Sequence, residues 1–189
     1  ADEAPYPRAM DDTVRAFRAL VARGIDPGRI ALVGDSCGGG IALAAMGALR
    51  DAGGPLPACI VGLTPWHDAE QMGDAAVHPH GREPFVEVEW IRARFRDYAG
   101  PTGDLKDPGI SPFHASLAGL PPMYLSVGEI DRTADDSTRL AERARREGAS
   151  VIVDVAAEMV HGYIGLCDAF PEAVQAMERI ALFVKQRIP

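Results

Sequence analysis

Cysteine is scarce in this 189-residue chain: Cys37, Cys59 and Cys167 are odd in number and share no paired spacing. That excludes the disulfide framework of a small secreted domain and fits a reducing, cytoplasmic setting. Neither C-x-x-C nor H-E-x-x-H occurs, so a structural zinc is not expected. No run approaches eighteen consecutive apolar residues, which excludes a helical membrane span. Positive charge is in deficit: 19 Lys and Arg against 27 Asp and Glu leave a net charge of −8. With a pI of about 5.1, nucleic acid and anionic membrane surfaces are not expected partners. The basic residues are almost all Arg and alternate with acids rather than clustering. Internal repeats and low-complexity tracts are absent. No signal-peptide pattern opens the chain, but neither does Met, so its start carries little weight for localisation.

What is present is ordinary for a globular protein: 47% hydrophobic and 24% charged residues. The length suits one domain over residues 1–189, large enough to bury a core. Helical and extended patterns alternate. Met10, Val14, Phe17, Leu20 and Val21 recur at helical spacing across residues 8–22. Gly24 closes that helix, and Asp26-Pro27-Gly28 forms a turn. Buried strands are expected at 29–34, 59–63, 123–127 and 151–155. Further helices are expected at 41–50, 87–98, 133–147 and 171–187, the last opening with Pro171. Loops fill 64–83 and the stretch up to Pro122. Strands alternating with helices predict a parallel α/β sheet, whose functional residues collect at the carboxyl ends of the strands.

The richest segment is Gly34-Asp35-Ser36-Cys37-Gly38-Gly39, which contains G-x-S-x-G between an apolar run and a helical stretch. Strand, sharp turn and helix is the context of a nucleophile elbow, in which Ser36 is strained and exposes its hydroxyl. Side chains at Gly34 and Gly38 are expected to crowd that turn. A serine hydroxyl needs a general base, and the base needs an orienting acid. The acid candidate is Asp131, directly after the third strand; as a bland alternative it caps the helix that follows. Glu129 competes, and Asp135 and Asp136 fit the first turn of that helix. The base candidate is His161, in the loop between the last strand and the last helix. His67, His78, His80 and His114 all precede the acid in sequence and fit less well, His78 and His80 reading as solvated.

These motifs together resemble the hormone-sensitive-lipase family of α/β hydrolases. The family's G-D-S-A-G-G occurs as Gly34 to Gly39 with Cys37 in place of Ala, and S-P-W-x-D is echoed by Thr64 to Asp68. D-P-x-x-S-P occurs as Asp107 to Pro112, L-P-P as Leu120 to Pro122, D-P-L-x-D-D as Asp131 to Asp136, and H-x-F as His161 to Tyr163. The resemblance runs from about Tyr6 to the end. It implies an α/β-hydrolase fold and hydrolysis of short- to medium-chain carboxylic esters, with no cofactor. Ser36 would be the nucleophile, His161 the base and Asp131 the orienting acid. The Cys37 N–H would donate to the oxyanion, its thiol packing as a small group, and Asp35 would support the turn. Trp66, Phe113, Tyr163 and Ile164 are candidate pocket walls. A homodimer through residues 151–155 and 171–187 is a further expectation. Two alternatives stay open, a ligand-binding member of the fold with impaired catalysis and an acyltransferase.

The chain departs from the family at its front. No H-G-G-G precedes Gly34, although the family draws further oxyanion donors from that loop. The first strands and the amino-terminal cap are also expected there. Loss of one oxyanion donor typically costs roughly 10²–10³ in turnover. The expectation is therefore that these residues are one piece of a larger protein, slow in isolation and with an exposed sheet edge.

Overall fold

The computed structural model describes residues 3–77 and 82–188. Among them the elements run α1 (Arg8–Ala22), β1 (Ala31–Asp35), α2 (Cys37–Asp51), β2 (Cys59–Leu63) and α3 (Asp74–Val77). There follow α4 (Val88–Ala99), β3 (Met123–Gly128), α5 (Ala134–Arg146), β4 (Val151–Ala156) and α6 (Pro171–Lys185). The strands form one sheet in the order β1-β2-β3-β4, every pair parallel. Chain order is thus spatial order, and the loops after all four strands gather at one end of the sheet.

Strand alternation divides the core into two layers, because successive side chains point to opposite faces. Ile60, Met123 and Leu125 pack with Phe17, Leu43, Met46 and Leu140, so α1, α2 and α5 cover that face. Val61 and Tyr124 pack with Ala173, Ala176, Ile180 and Phe183 of α6 on the other. A third cluster joins Trp66 to Val86, Ile91, Phe95 and Ile110 beneath α4. Within α1, Met10, Val14, Phe17 and Val21 face the core, whereas Leu20 is turned to solvent.

The short α3 falls within the stretch expected to be loop at 64–83, most other ends shift by one or two residues, and two starts differ for a clear reason. β1 starts at Ala31 because Pro27–Arg29 forms a 3₁₀ turn, capped by the Asp26 carboxylate accepting from the Gly28 N–H at 2.9 Å. α2 starts at Cys37 rather than residue 41, and so incorporates Gly38, Gly39 and Gly40. Their poor helix propensity hides the true start. The outer edge of β1 has no partner among the described residues, and Val33 on that strand is 53% exposed. On β4, at the opposite edge, Ile152 and Val155 are exposed, as are Val174, Met177 and Leu182 on α6. No helix among the described residues is long and apolar enough to cross a membrane.

Candidate functional site

Ser36 occupies the single residue between β1 and α2, with φ 53° and ψ −123°. A side chain at positive φ is strained, and the surrounding hydrogen bonds hold it there. The Ser36 N–H donates to the Leu63 carbonyl at 2.8 Å, and the Ser36 carbonyl accepts from Gly39 at 3.0 Å and Trp66 at 3.1 Å. Gly34 is required as expected: a Cβ there would collide with the Gly38 carbonyl and lie 2.6 Å from the Gly39 nitrogen. Gly38 is not. A Cβ at Gly38 meets nothing within 4 Å, because it points away from the strand. The close approaches fall one and two residues later, Gly39 against Pro65 and Gly40 against the Trp66 carbonyl.

Three of the residues singled out in the sequence converge. Ser36 Oγ lies 2.9 Å from His161 Nε2, and His161 Nδ1 lies 2.9 Å from Asp131 Oδ2. An ionised carboxylate only accepts, so Nδ1 carries the proton and Nε2 presents a lone pair to the Ser36 hydroxyl. Asp131 is fully buried, and its two oxygens divide the work. Oδ2 takes the imidazole, while Oδ1 accepts from the Thr133 N–H at 2.9 Å and its hydroxyl at 3.0 Å. Oδ1 thus closes a turn on Thr133, the residue before α5, rather than capping the helix's own N–H groups. Burial alone pushes His161 down. The hydrogen bond to Asp131 and the negative charges of Asp131, Glu83 and Asp35 outweigh it, and the imidazole sits above its ordinary value.

The competing acids do other work. Glu129 Oε2 accepts from the Glu158 N–H at 2.9 Å. Asp135 accepts from the Ala75 N–H at 2.6 Å. Asp136 is buried and accepts from the N–H groups of His67 at 3.2 Å and Asp68 at 3.1 Å. Burial and the nearby Asp68 push its carboxyl up to about 8. Glu129 thus holds the loop after β4, while Asp135 and Asp136 shape the stretch after β2, which reaches back to the site twice. Thr64 Oγ1 accepts from the Gly162 N–H at 3.2 Å, and the Trp66 ring lies 5.8 Å from that of His161.

His67 is buried, with neither ring nitrogen partnered among the described residues. Burial pulls its imidazole down to about 3, despite the charge of Asp68. His114 contacts Glu70 at 3.5 Å, and His78 and His80 lie outside the described residues. Asp68, Glu70 and His114 each bring a ligand atom within 4.8 Å of the others. Asp68 is already committed to Arg139 at 2.9 Å, and Lys106 stands 3.7 Å from Glu70, so the group is an ion-pair network.

Beside Ser36 opens a cavity of about 660 Å³, walled by Ile41, Trp66, Trp90, Phe95, Tyr98 and Ile110. Of the expected walls only Trp66 is among them. Phe113 lies 4.2 Å beneath the Arg139 guanidinium. Tyr163 and Ile164 are buried in the α6 layer, where Tyr163 Oη bonds Ser126 Oγ at 2.8 Å. The wall comes from α4 instead, which tertiary packing brings in and no local motif marks. Cys37 is exposed overall and lines the cavity rather than packing; the cavity wall takes water from its sulfur, and that desolvation pushes the thiol up, away from the thiolate. Asp35 is likewise exposed, at the end of β1. Sequence reasoning also missed Glu83. It is 3% exposed, and its Oε2 accepts the His161 N–H at 2.6 Å.

Residues 1–165 match the family model described as alpha/beta hydrolase fold. The chain is 37% identical over 183 residues to an acetyl-hydrolase of Streptomyces hygroscopicus, covering 97% of this chain and 61% of that protein. It is 36% identical over 188 residues to the esterase LipI of Mycobacterium tuberculosis, covering 95% of this chain and 58% of that one. Among solved structures, an esterase from the bacterial hormone-sensitive lipase family superposes with a TM-score of 0.95 at 40% identity, covering 99% of this chain and 63% of that one. The chain thus spans 58–63% of the length of these relatives.

Proposed function

The chain belongs to the alpha/beta hydrolase fold family, and from that membership we propose that it performs the chemical steps of carboxylic ester hydrolysis through an acyl-enzyme on Ser36. The observation that carries the reading is the continuous relay from Ser36 Oγ through the imidazole of His161 to Asp131, each link 2.9 Å. Ser36 Oγ attacks the ester carbonyl carbon while His161 Nε2 takes its proton. The developing oxyanion accepts from the Cys37 N–H, which opens α2 and so belongs to the first turn without an intrahelical acceptor. Collapse breaks the bond to the alkoxy oxygen, which leaves with the proton from Nε2. Water then repeats the sequence on the acyl-enzyme, returning Ser36 and releasing the acid. Asp131 holds the tautomer and stabilises the imidazolium throughout.

The cavity supports an apolar substrate of modest size. Its volume of about 660 Å³ and its aromatic walls suit a short- to medium-chain acyl ester. One relative, named an acetyl-hydrolase, points the same way, and the esterase LipI agrees with ester hydrolysis. The test is hydrolysis of p-nitrophenyl acetate, butyrate and palmitate. The two shorter esters turn over faster, and Ser36→Ala lowers the rate by about 10⁴-fold or more. Hydrolysis that survives Ser36→Ala, or a preference for palmitate, contradicts the reading.

A further inference from the structure

We propose that Glu83 is a positioning residue for His161, a carboxylate clip that fixes the backbone of the base against the segment entering α4. The proposal rests on the hydrolytic reading for its kinetic readout only. Glu83 is 3% exposed, and both of its oxygens are committed to backbone. Oε2 accepts the His161 N–H at 2.6 Å, and Oε1 accepts the Phe85 N–H at 2.7 Å. One side chain therefore ties together two stretches 78 residues apart. A buried carboxylate is costly unless hydrogen bonded, so a bare space-filling role would be better served by an apolar side chain. A second link runs alongside at the surface, where Arg82 pairs with Glu158 in the same loop.

The imidazole needs this support because its ring contacts do not set its Cα. Asp131 and Ser36 grip the two ring nitrogens. The loop from β4 to Gly162 carries the ring, and it turns through Glu158 at φ 60°. From the β3 side Glu129 holds the Glu158 N–H at 2.9 Å. From the α4 side Glu83 holds His161 itself. Reacting groups displaced by about 1 Å lose on the order of 10²-fold in rate, so a slack loop shows in turnover before it shows in folding. The acidic groups facing His161 come from three elements: Asp131 after β3, Asp35 at the end of β1, and Glu83 before α4. All three favour the charged imidazole.

The test compares Glu83→Gln and Glu83→Ala with the unsubstituted chain. Gln keeps the shape but has one acceptor oxygen for two N–H groups and no charge. Phosphonylation of Ser36 by a fluorophosphonate and hydrolysis of p-nitrophenyl butyrate are followed against pH, and the His161 ring protons are titrated by NMR. Glu83→Ala slows both reactions about 100-fold and Glu83→Gln about 10-fold, with the loss in kcat rather than KM. In both variants the acid limb and the His161 midpoint move to lower pH. A Gln variant that is folded and keeps the wild-type rate and midpoint overturns the proposal, as does a loss confined to KM with an unmoved midpoint. If the unsubstituted chain leaves Ser36 unlabelled, the hydrolytic reading fails. The NMR midpoint then decides alone: a lower value in Glu83→Gln supports the clip and an unchanged one overturns it.

Discussion

His161 and His67 are both buried, and both follow the carboxyl end of a strand in the same sheet. Yet the two imidazoles are driven in opposite directions. His67 has no partner on either ring nitrogen, and burial takes it down to about 3. His161 is also pushed down by burial, though at 9% exposed it is less enclosed than His67 at 1%; it bonds Asp131 and feels two further carboxylates, and it ends above its ordinary value. Burial supplies a neutral imidazole by default; what makes one a responsive base is the acid on its far nitrogen and a hydroxyl on its near one. The regions around them differ in the same sense. Around His161 carboxylates are spent on holding and charging the base, whereas around His67 Asp136 and Ser111 are spent on the loop backbone.

The sharpest way to break this contrast is Asp131→Asn, which should turn His161 toward the condition of His67. Turnover should fall by roughly 10⁴-fold, since the wrong tautomer is favoured at Nε2. The His161 midpoint should drop, as read by NMR. A midpoint that holds would mean that the acid does not set it. Loss of Glu83 should act in the same direction with a smaller effect.

Next come stability tests on the His67 side. Replacing His67 with Leu removes two unpartnered buried nitrogens, and should leave the fold as stable or more stable by about 1–3 kcal/mol at neutral pH. The sign with pH is definite. The folded value of about 3 lies below the unfolded value of about 6.5. Stability from a neutral His67 is therefore complete above about 6.5 and lost as pH falls toward about 3. Urea midpoints of His67→Leu should fall less steeply with acid than those of the unsubstituted chain. Equal slopes would show that His67 is solvated or bonded after all.

Asp136 gives the effect of opposite sign. Its folded value of about 8 exceeds the unfolded value of about 3.9. Its contribution is therefore fully present below about 3.9 and is lost as pH rises through about 8. Asp136→Asn retains an oxygen for the His67 and Asp68 N–H groups and cannot ionise. It should lose less stability than the parent as pH rises from about 4 to about 8, measured by thermal melting across that range. A variant with the parent's slope there would assign the slope elsewhere.

How far the sequence could be read follows from the same physics. β2 falls on its expected residues because its apolar run is short and continuous, and so does α1, because its apolar residues recur at helical spacing. Ser36, Asp131 and His161 were legible because a parallel sheet in chain order places the ends of successive strands side by side. The start of α2 was obscured by Gly38 to Gly40, whose value lies in close packing rather than helix propensity. Phe113, Tyr163 and Ile164 sit beside site motifs yet face the interior or an arginine pair. The true wall on α4 and the Glu83 clip depend on contacts between distant segments, for which one sequence carries no local mark.

The most direct test of the central claim is to treat the chain with a fluorophosphonate and map the adduct by mass spectrometry across a pH series. The account predicts one adduct, on Ser36, forming faster as pH rises through a midpoint above the ordinary histidine value of about 6.5. It should vanish in Ser36→Ala and be strongly slowed in His161→Ala. An adduct that persists in Ser36→Ala, or labelling of Ser36 that is indifferent to His161, would contradict it.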